Sequence, residues 1–414
     1  MKCFITSTLA VAASLAHVGY AEKLPPQIPT NGQIGALDFP VVCKVPILGN
    51  IAFDFYGTAT APVNVASGQQ MYYTDFAAAL KIPKLFTQLG SFIGGTQASA
   101  LVYANLRLKN TSPAMFAVFP NGLLLENITF PTKGEILDVH VPRDGVLPPM
   151  GPVTAGQPNQ ESILFLDSVN ITINVQNAKG QNVFFPLPVT CGAQPIDWEL
   201  GVVNVGPANG GPPLKVQTGE KNTFKNISLG YQTGSYRFPY ECEFEGPLGK
   251  QDIDLSLTGT VKAFFAPGET FSITDAEAFV RLPPSFVAAA VKAYPGLVTF
   301  EVSTSSFTIG ATNASPSTIN ALAAGPVVSK QQVVNDKEVV LAIPQDGVLT
   351  IGPMKAGDDG TTLVLSAGNT TSSIRLLGAN SNVLGTPKVS CYPKAGSDLI
   401  GITVTKTKPP TPLK

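Results

Sequence analysis

The sequence predicts an all-β protein made of two tandem immunoglobulin-like antiparallel β-sandwich domains, each with one short inserted helix. Three observations carry this expectation. Short β-branched runs alternate strictly between apolar and polar residues, turn signals separate the runs, and the second half of the chain repeats the landmarks of the first in the same order.

Residues 1–21 are read as a targeting segment. Lys2 supplies a positive start, an apolar stretch runs from Leu9 to Leu15, and Gly19 and Ala21 place small residues before a cut after Ala21. This is the pattern of a secretory signal peptide, and it predicts a secreted, extracellular protein. No later stretch offers ~20 consecutive apolar residues, so no membrane span is expected. Without this segment Cys3 and His17 are gone, and the chain keeps four cysteines and a single histidine, His140. An even cysteine number in a secreted chain predicts disulfides. Sequons at Asn110, Asn127, Asn170, Asn226, Asn313 and Asn369 predict a eukaryotic glycoprotein.

The balance of 27 basic against 28 acidic side chains gives a net charge of −1. A protein that neutralises phosphates carries a large positive excess, so no nucleic-acid partner is expected. With 44% hydrophobic and 13% charged residues, the chain has enough apolar surface to fold.

The first copy spans 32–205 and the second 231–405, with 206–230 as a turn-rich linker and 406–414 as a polar tail. Phe39–Cys43 aligns with Phe238–Cys242, Gly57-Thr58 with Gly259-Thr260, and Thr74-Asp75 with Thr274-Asp275. Farther on, Asn110–Pro113 aligns with Asn313–Pro316, Asp144-Gly145 with Asp346-Gly347, and Ala155-Gly156 with Ala356-Gly357. Four cysteines allow three pairings. The duplication favours Cys43 with Cys191 and Cys242 with Cys391, at separations of 148 and 149. Such bridges would join the first strand of each copy to one of its last.

Ile51–Phe55, Ile171–Val175 and Ile253–Leu257 alternate as half-buried strands do. Each copy breaks this period once. Pro283-Pro284 open a segment in which Phe286, Val287, Ala290, Val291 and Tyr294 share a helical face, ended by Pro295-Gly296. Pro83 opens the equivalent helix, which ends at Gly94-Gly95.

No residue set predicts catalysis, a metal centre or a cofactor. His140 lies in an alternating run that places it on an outer strand face, and it has no counterpart in the second copy. No GxSxG, HExxH or Walker pattern occurs. Glu126, Glu135, Asp138, Glu161 and Asp167 could serve glycoside hydrolysis only if two of them faced each other across a cleft. Asp144 and Asp346 precede glycines and read as turn residues; Asp75 and Asp275 read as local backbone caps. Glu241, Glu243 and Glu245 alternate with Cys242 and Phe244 and form a solvated strand face. Asp358-Asp359 lack calcium-loop spacing. Trp198 reads as packing between the copies, and Phe86, Phe92 and Phe286 as closing the ends of the sandwiches.

The segments Tyr240–Gly249, Pro267–Phe271, Arg281–Ala290, Thr312–Ala321 and Val389–Cys391 resemble a domain of unknown function repeated in secreted actinomycete proteins. The resemblance covers about 150 residues of the second copy and the first more loosely, departing most between Ala114 and Glu135. It implies an extracellular, disulfide-stapled β-domain and brings no catalytic residues. The expected function is therefore a non-enzymatic structural or interaction role at the cell surface or in the extracellular matrix. The expected partner is a cell-wall polysaccharide or another surface protein. A carbohydrate-binding or adhesin pair is the second reading, and it requires an exposed aromatic or polar groove in both copies. A carboxylate glycosidase or lyase is the third.

Overall fold

The structure is a computed structural model that describes residues 27–46, 48–131, 135–192, 196–208, 210–219 and 227–412. Residues 1–21, read as a signal peptide, and Asn226 lie outside the described residues. The fold is all-β, as expected, with one short helix in each half.

The principal elements of the first half are β1 (Gly32–Val45), β2 (Gly49–Pro62), β3 (Asn64–Ser67), β4 (Gln70–Ile82), α1 (Lys84–Phe92), β5 (Gln97–Lys109), β6 (Leu123–Thr129), β7 (Leu137–Val141), β8 (Met150–Ala155), β9 (Gln160–Gln176), β10 (Leu187–Gly192) and β11 (Glu199–Ala208). The second half runs β12 (Tyr231–Phe244), β13 (Gly249–Lys262), β14 (Phe264–Phe265), β15 (Thr270–Leu282), α2 (Pro284–Ala293), β16 (Leu297–Thr312), β17 (Val327–Gln332), β18 (Val339–Ile343), β19 (Leu349–Ala356), β20 (Thr361–Gly378), β21 (Lys388–Pro393) and β22 (Asp398–Val404). In this numbering β12 corresponds to β1, β13 to β2, and so on.

In the first half the sheet runs β7–β4–β2–β1–β10–β9–β5–β6, curling around one apolar core without closing. The same order recurs as β18–β15–β13–β12–β21–β20–β16–β17. Cys43 lies directly opposite Cys191 on β1 and β10, and Cys242 opposite Cys391 on β12 and β21; both pairs are disulfide-bonded. The pairing expected from the duplication is the one observed.

The halves are not held apart by the linker. β1 pairs with β12 antiparallel over Gly32–Asp38, with Gly35 opposite Gly234. Those two glycines are equivalent in the aligned copies, so the contact has the self-complementary form of a two-fold interface within one chain. The cores interlock as well. Val63 packs in the second core and Ala263 in the first. Trp198, 1% exposed, has Phe39 at 5.2 Å and Phe264 of the other half at 5.8 Å. Asn204 donates to the Asp398 carbonyl at 3.0 Å, and Thr403 donates to the Asp197 carbonyl at 2.7 Å.

The linker is stitched to β4. Tyr72 N–H donates to the Leu214 carbonyl and Leu214 N–H to that of Gln70, at 3.0 and 2.8 Å. Asp75, expected as a local cap, instead anchors this segment. Its carboxylate accepts from Thr218 N–H at 2.7 Å, the Thr218 hydroxyl at 3.1 Å and Gly219 N–H at 3.1 Å. Asp75 is 4% exposed and has φ +50°, a conformation that Asp and Asn tolerate. Its counterpart Asp275 has φ +51° but stands exposed. Asp75→Asn keeps the backbone preference and loses charge-assisted acceptors, so it should cost about 1–3 kcal/mol. It should also speed proteolysis within 212–219, whereas Asp275→Asn should be near neutral; denaturant unfolding and limited digestion check both.

Candidate functional site

The first half holds a cavity of about 340 Å³, open at one side, between its curled sheet and α1. The residues around it are apolar almost without exception. Thr87 is the one hydroxyl there, and its oxygen lies 2.9 Å from both the Lys84 and Glu135 carbonyls, so its donor is used. No charged side chain lines the space. Leu48, Leu89 and Ile93 line the cavity and are also exposed, and they mark its mouth beside α1.

The matching space in the second half is about 30 Å³. Register explains the difference. Phe300 of β16 occupies the place of Ala98 of β5, Phe244 of β12 that of Val45, and Tyr240 that of Val41. Phe286 of α2 sits between Phe244 at 4.9 Å and Phe300 at 6.1 Å, filling the core. In the first half Phe86 meets Phe53 at 5.2 Å, and with Val45 and Ala98 nothing fills the remaining space. The second half also brings β17 alongside β18. Among the described residues β6 and β7 make no comparable approach.

The helices differ in the same sense. α2 buries Phe286, Val287 and Ala290, as its sequence pattern predicts. α1 buries only Thr87 and Gly90. Gly90 rests against the Phe130 ring so closely that a Cβ would lie 2.4 Å from a ring carbon. Phe92, expected to close the sandwich, does not: it is 88% exposed. Phe86 and Phe286 do face inward.

Of the acids singled out in the sequence, Glu161 and Asp167 are half-buried on the same strand, β9. Glu126, Glu135 and Asp138 are exposed, and among the described residues no three His, Cys, Asp or Glu side chains converge on a metal position. His140 is exposed on β7, as its alternation predicts. Glu243 is exposed and Glu241 half-buried on the outer face of β12, and Glu245, exposed, lies in the turn just after it. Gly145 and Gly347 have φ of +72° and +74°, consistent with the turn roles of Asp144 and Asp346. Asp359 accepts from Lys406 N–H at 2.8 Å and so holds the tail. Trp198 is buried and offers no platform to a sugar.

Asn127, Asn170, Asn313 and Asn369 are exposed. Asn110 and Asn313 also clasp the chain, with φ of +55° and +54°, and their carbonyls accept from Gly156 and Gly357 N–H at 2.9 and 2.7 Å. A Cβ on either glycine would strike that asparagine backbone, which accounts for both glycines in the duplicated pattern.

One carboxylate pair escaped sequence reasoning. Asp38 and Asp54 each lie 2.9 Å from Lys81 Nζ. Burial, reinforced by Asp54, pushes the Asp38 carboxyl up to about 7 against the pull of Lys81. The corresponding group in the second half is Arg237, Asp254, Arg281 and Glu338. Only the position of Asp38 changes sign, to Arg237; Asp254 and Arg281 keep the charges of Asp54 and Lys81, and each cluster joins neighbouring strands. No signal in a single copy marks it; it appears when Asp38 is set against Arg237. The cavity was likewise legible only as a difference between copies, Val45 and Ala98 against Phe244 and Phe300. No protein-family model matches the chain and no curated protein is significantly similar to it, so its function is read from its own geometry.

Proposed function

We propose that the protein is a secreted, non-enzymatic glycoprotein that binds one apolar ligand in the first half. The single observation behind this reading is the apolar cavity of about 340 Å³, set against about 30 Å³ in the second half. The side chains that line this space lack packing partners on one side, and an apolar ligand would supply them. Water that enters through the mouth finds almost no hydrogen-bond partners on these walls. The volume is at the lower end of the roughly 300–1,000 Å³ of small-molecule sites. It suits one hydrocarbon chain or a compact apolar molecule. A sugar would need donors and acceptors that the walls lack, which weighs against the carbohydrate reading. The Asp38–Asp54 pair is locked on Lys81 away from this space, which weighs against a carboxylate hydrolase.

The test is to place the second half's filling residues in the first. Val45→Phe with Ala98→Phe should reduce saturable uptake of a fluorescent long-chain fatty acid at least tenfold and raise the ligand-free melting temperature by several degrees. Equal uptake by this variant and the wild type would sink the proposal. So would the absence of one-to-one uptake by the wild type.

A further inference from the structure

We propose that α1 is a membrane-docking portal, through which a single-chain lipid passes directly between a bilayer surface and the cavity. This rests on the apolar-ligand reading above. Leu85, Leu89, Phe92 and Ile93 are 40, 40, 88 and 39% exposed, and Leu48 beside them is 40% exposed. Leu89, Ile93 and Leu48 also line the cavity, so the outer patch and the inner wall form one apolar surface. The helix KLFTQLGSF carries Lys84 as its only charge.

The second half is an internal control. Its helix α2 exposes Pro284, Ser285, Ala288 and Lys292, with no large apolar side chain among them. The space there that is equivalent to the first-half cavity is about 30 Å³. Large exposed apolar side chains on the helix and the cavity therefore occur together on one copy and are missing together from the other. An outer patch needed only for folding has no reason to follow the inner volume.

The physics of delivery identifies the occupant of the patch. Carrying a hydrocarbon through water exposes every methylene of it, a barrier that grows with chain length. A carrier avoids that barrier only if its mouth touches the donor phase. Leu85 and Phe92 flank the mouth and can enter the headgroup boundary, where apolar side chains bind an uncharged surface without opposing acids. The helix is also lightly held. It fully buries only Thr87 and Gly90 and sets Phe86 against Phe53, where α2 buries Phe286, Val287 and Ala290, so fewer buried side chains hold it in place.

Leu85 and Phe92 do not line the cavity, so they can be changed without touching the ligand. The experiment uses the whole chain, a fluorescent single-chain fatty acid and phosphatidylcholine vesicles. For the wild type, the transfer rate should rise in proportion to vesicle concentration. For Leu85→Ser with Phe92→Ser, the rate should fall about tenfold and lose that dependence, with equilibrium affinity within about twofold of wild type. Unchanged transfer in the variant overturns the portal, as does a wild-type rate independent of vesicle concentration. A dimer that Phe92→Ser dissolves would assign the patch to a second copy and also overturns it. If the wild type takes up no probe even when it is added from ethanol, the cavity reading fails, and the portal fails with it.

Discussion

Replacing Cys43 and Cys191 together by alanine is expected to lower stability by about 4–5 kcal/mol and the melting temperature by roughly 10–20 °C. The bridge closes a loop of 148 residues, which is where cross-linking restricts the unfolded chain most. It also joins residues that already face each other across β1 and β10, so the native sheet need not move to accept it. Replacing Cys242 and Cys391 should cost a similar amount, since that loop spans 149 residues between equivalent strands. Removing both bridges should not give a simple sum, because β1 pairs with β12 and the halves exchange core residues. Denaturant titration of the three variants measures each value. Cys43 and Cys242 are fully buried, so a mild reductant without denaturant should leave both bridges intact, as thiol titration would show. A loss under about 1 kcal/mol in either half would mean that the sheet holds its ends together without the bridge.

Asp38→Asn is expected to flatten the acid-to-neutral stability profile. The Asp38 carboxyl is 2% exposed, and burial with the neighbouring Asp54 raises it to about 7 despite Lys81. An unfolded aspartate titrates near 3.8. Between these values the native state keeps a proton that the unfolded state has released. Stability is therefore greatest at the acid end and falls as pH rises toward neutrality. The contribution is on the order of 2–4 kcal/mol. Burial also raises Asp398 to about 6, with Glu161 adding to it, and burial raises Glu199, so these two act in the same direction. Wild-type melting temperatures should fall between about pH 4.5 and 7.5. Asp38→Asn, a permanently neutral isostere, should fall less and be the more stable protein at neutral pH. Identical profiles for the two proteins would remove Asp38 from the account.

Much of the fold was legible before any tertiary contact was known. Strict alternation marked the long strands because a half-buried strand leaves a period of two in the sequence. Pro283-Pro284 and Pro295-Gly296 bounded α2 because proline and glycine act through local backbone geometry. The disulfide pairing followed from the duplication, since equivalent strands place equivalent cysteines opposite each other. Asp75 shows where such reading stops. Its turn-like setting was visible, but its partners Thr218 and Gly219 lie more than a hundred positions away.

The chain's own pattern therefore settled its all-β class, its twofold order and its bridges, because each rests on spacing within a strand or between copies. The seam at Gly35 and Gly234, the Asp38–Lys81–Asp54 cluster and the first-half cavity emerged only when distant strands were brought together. A cavity is a deficit summed over many side chains, and no single residue encodes it. Val45 and Ala98 are ordinary core residues until β1, β5 and α1 converge without a phenylalanine between them.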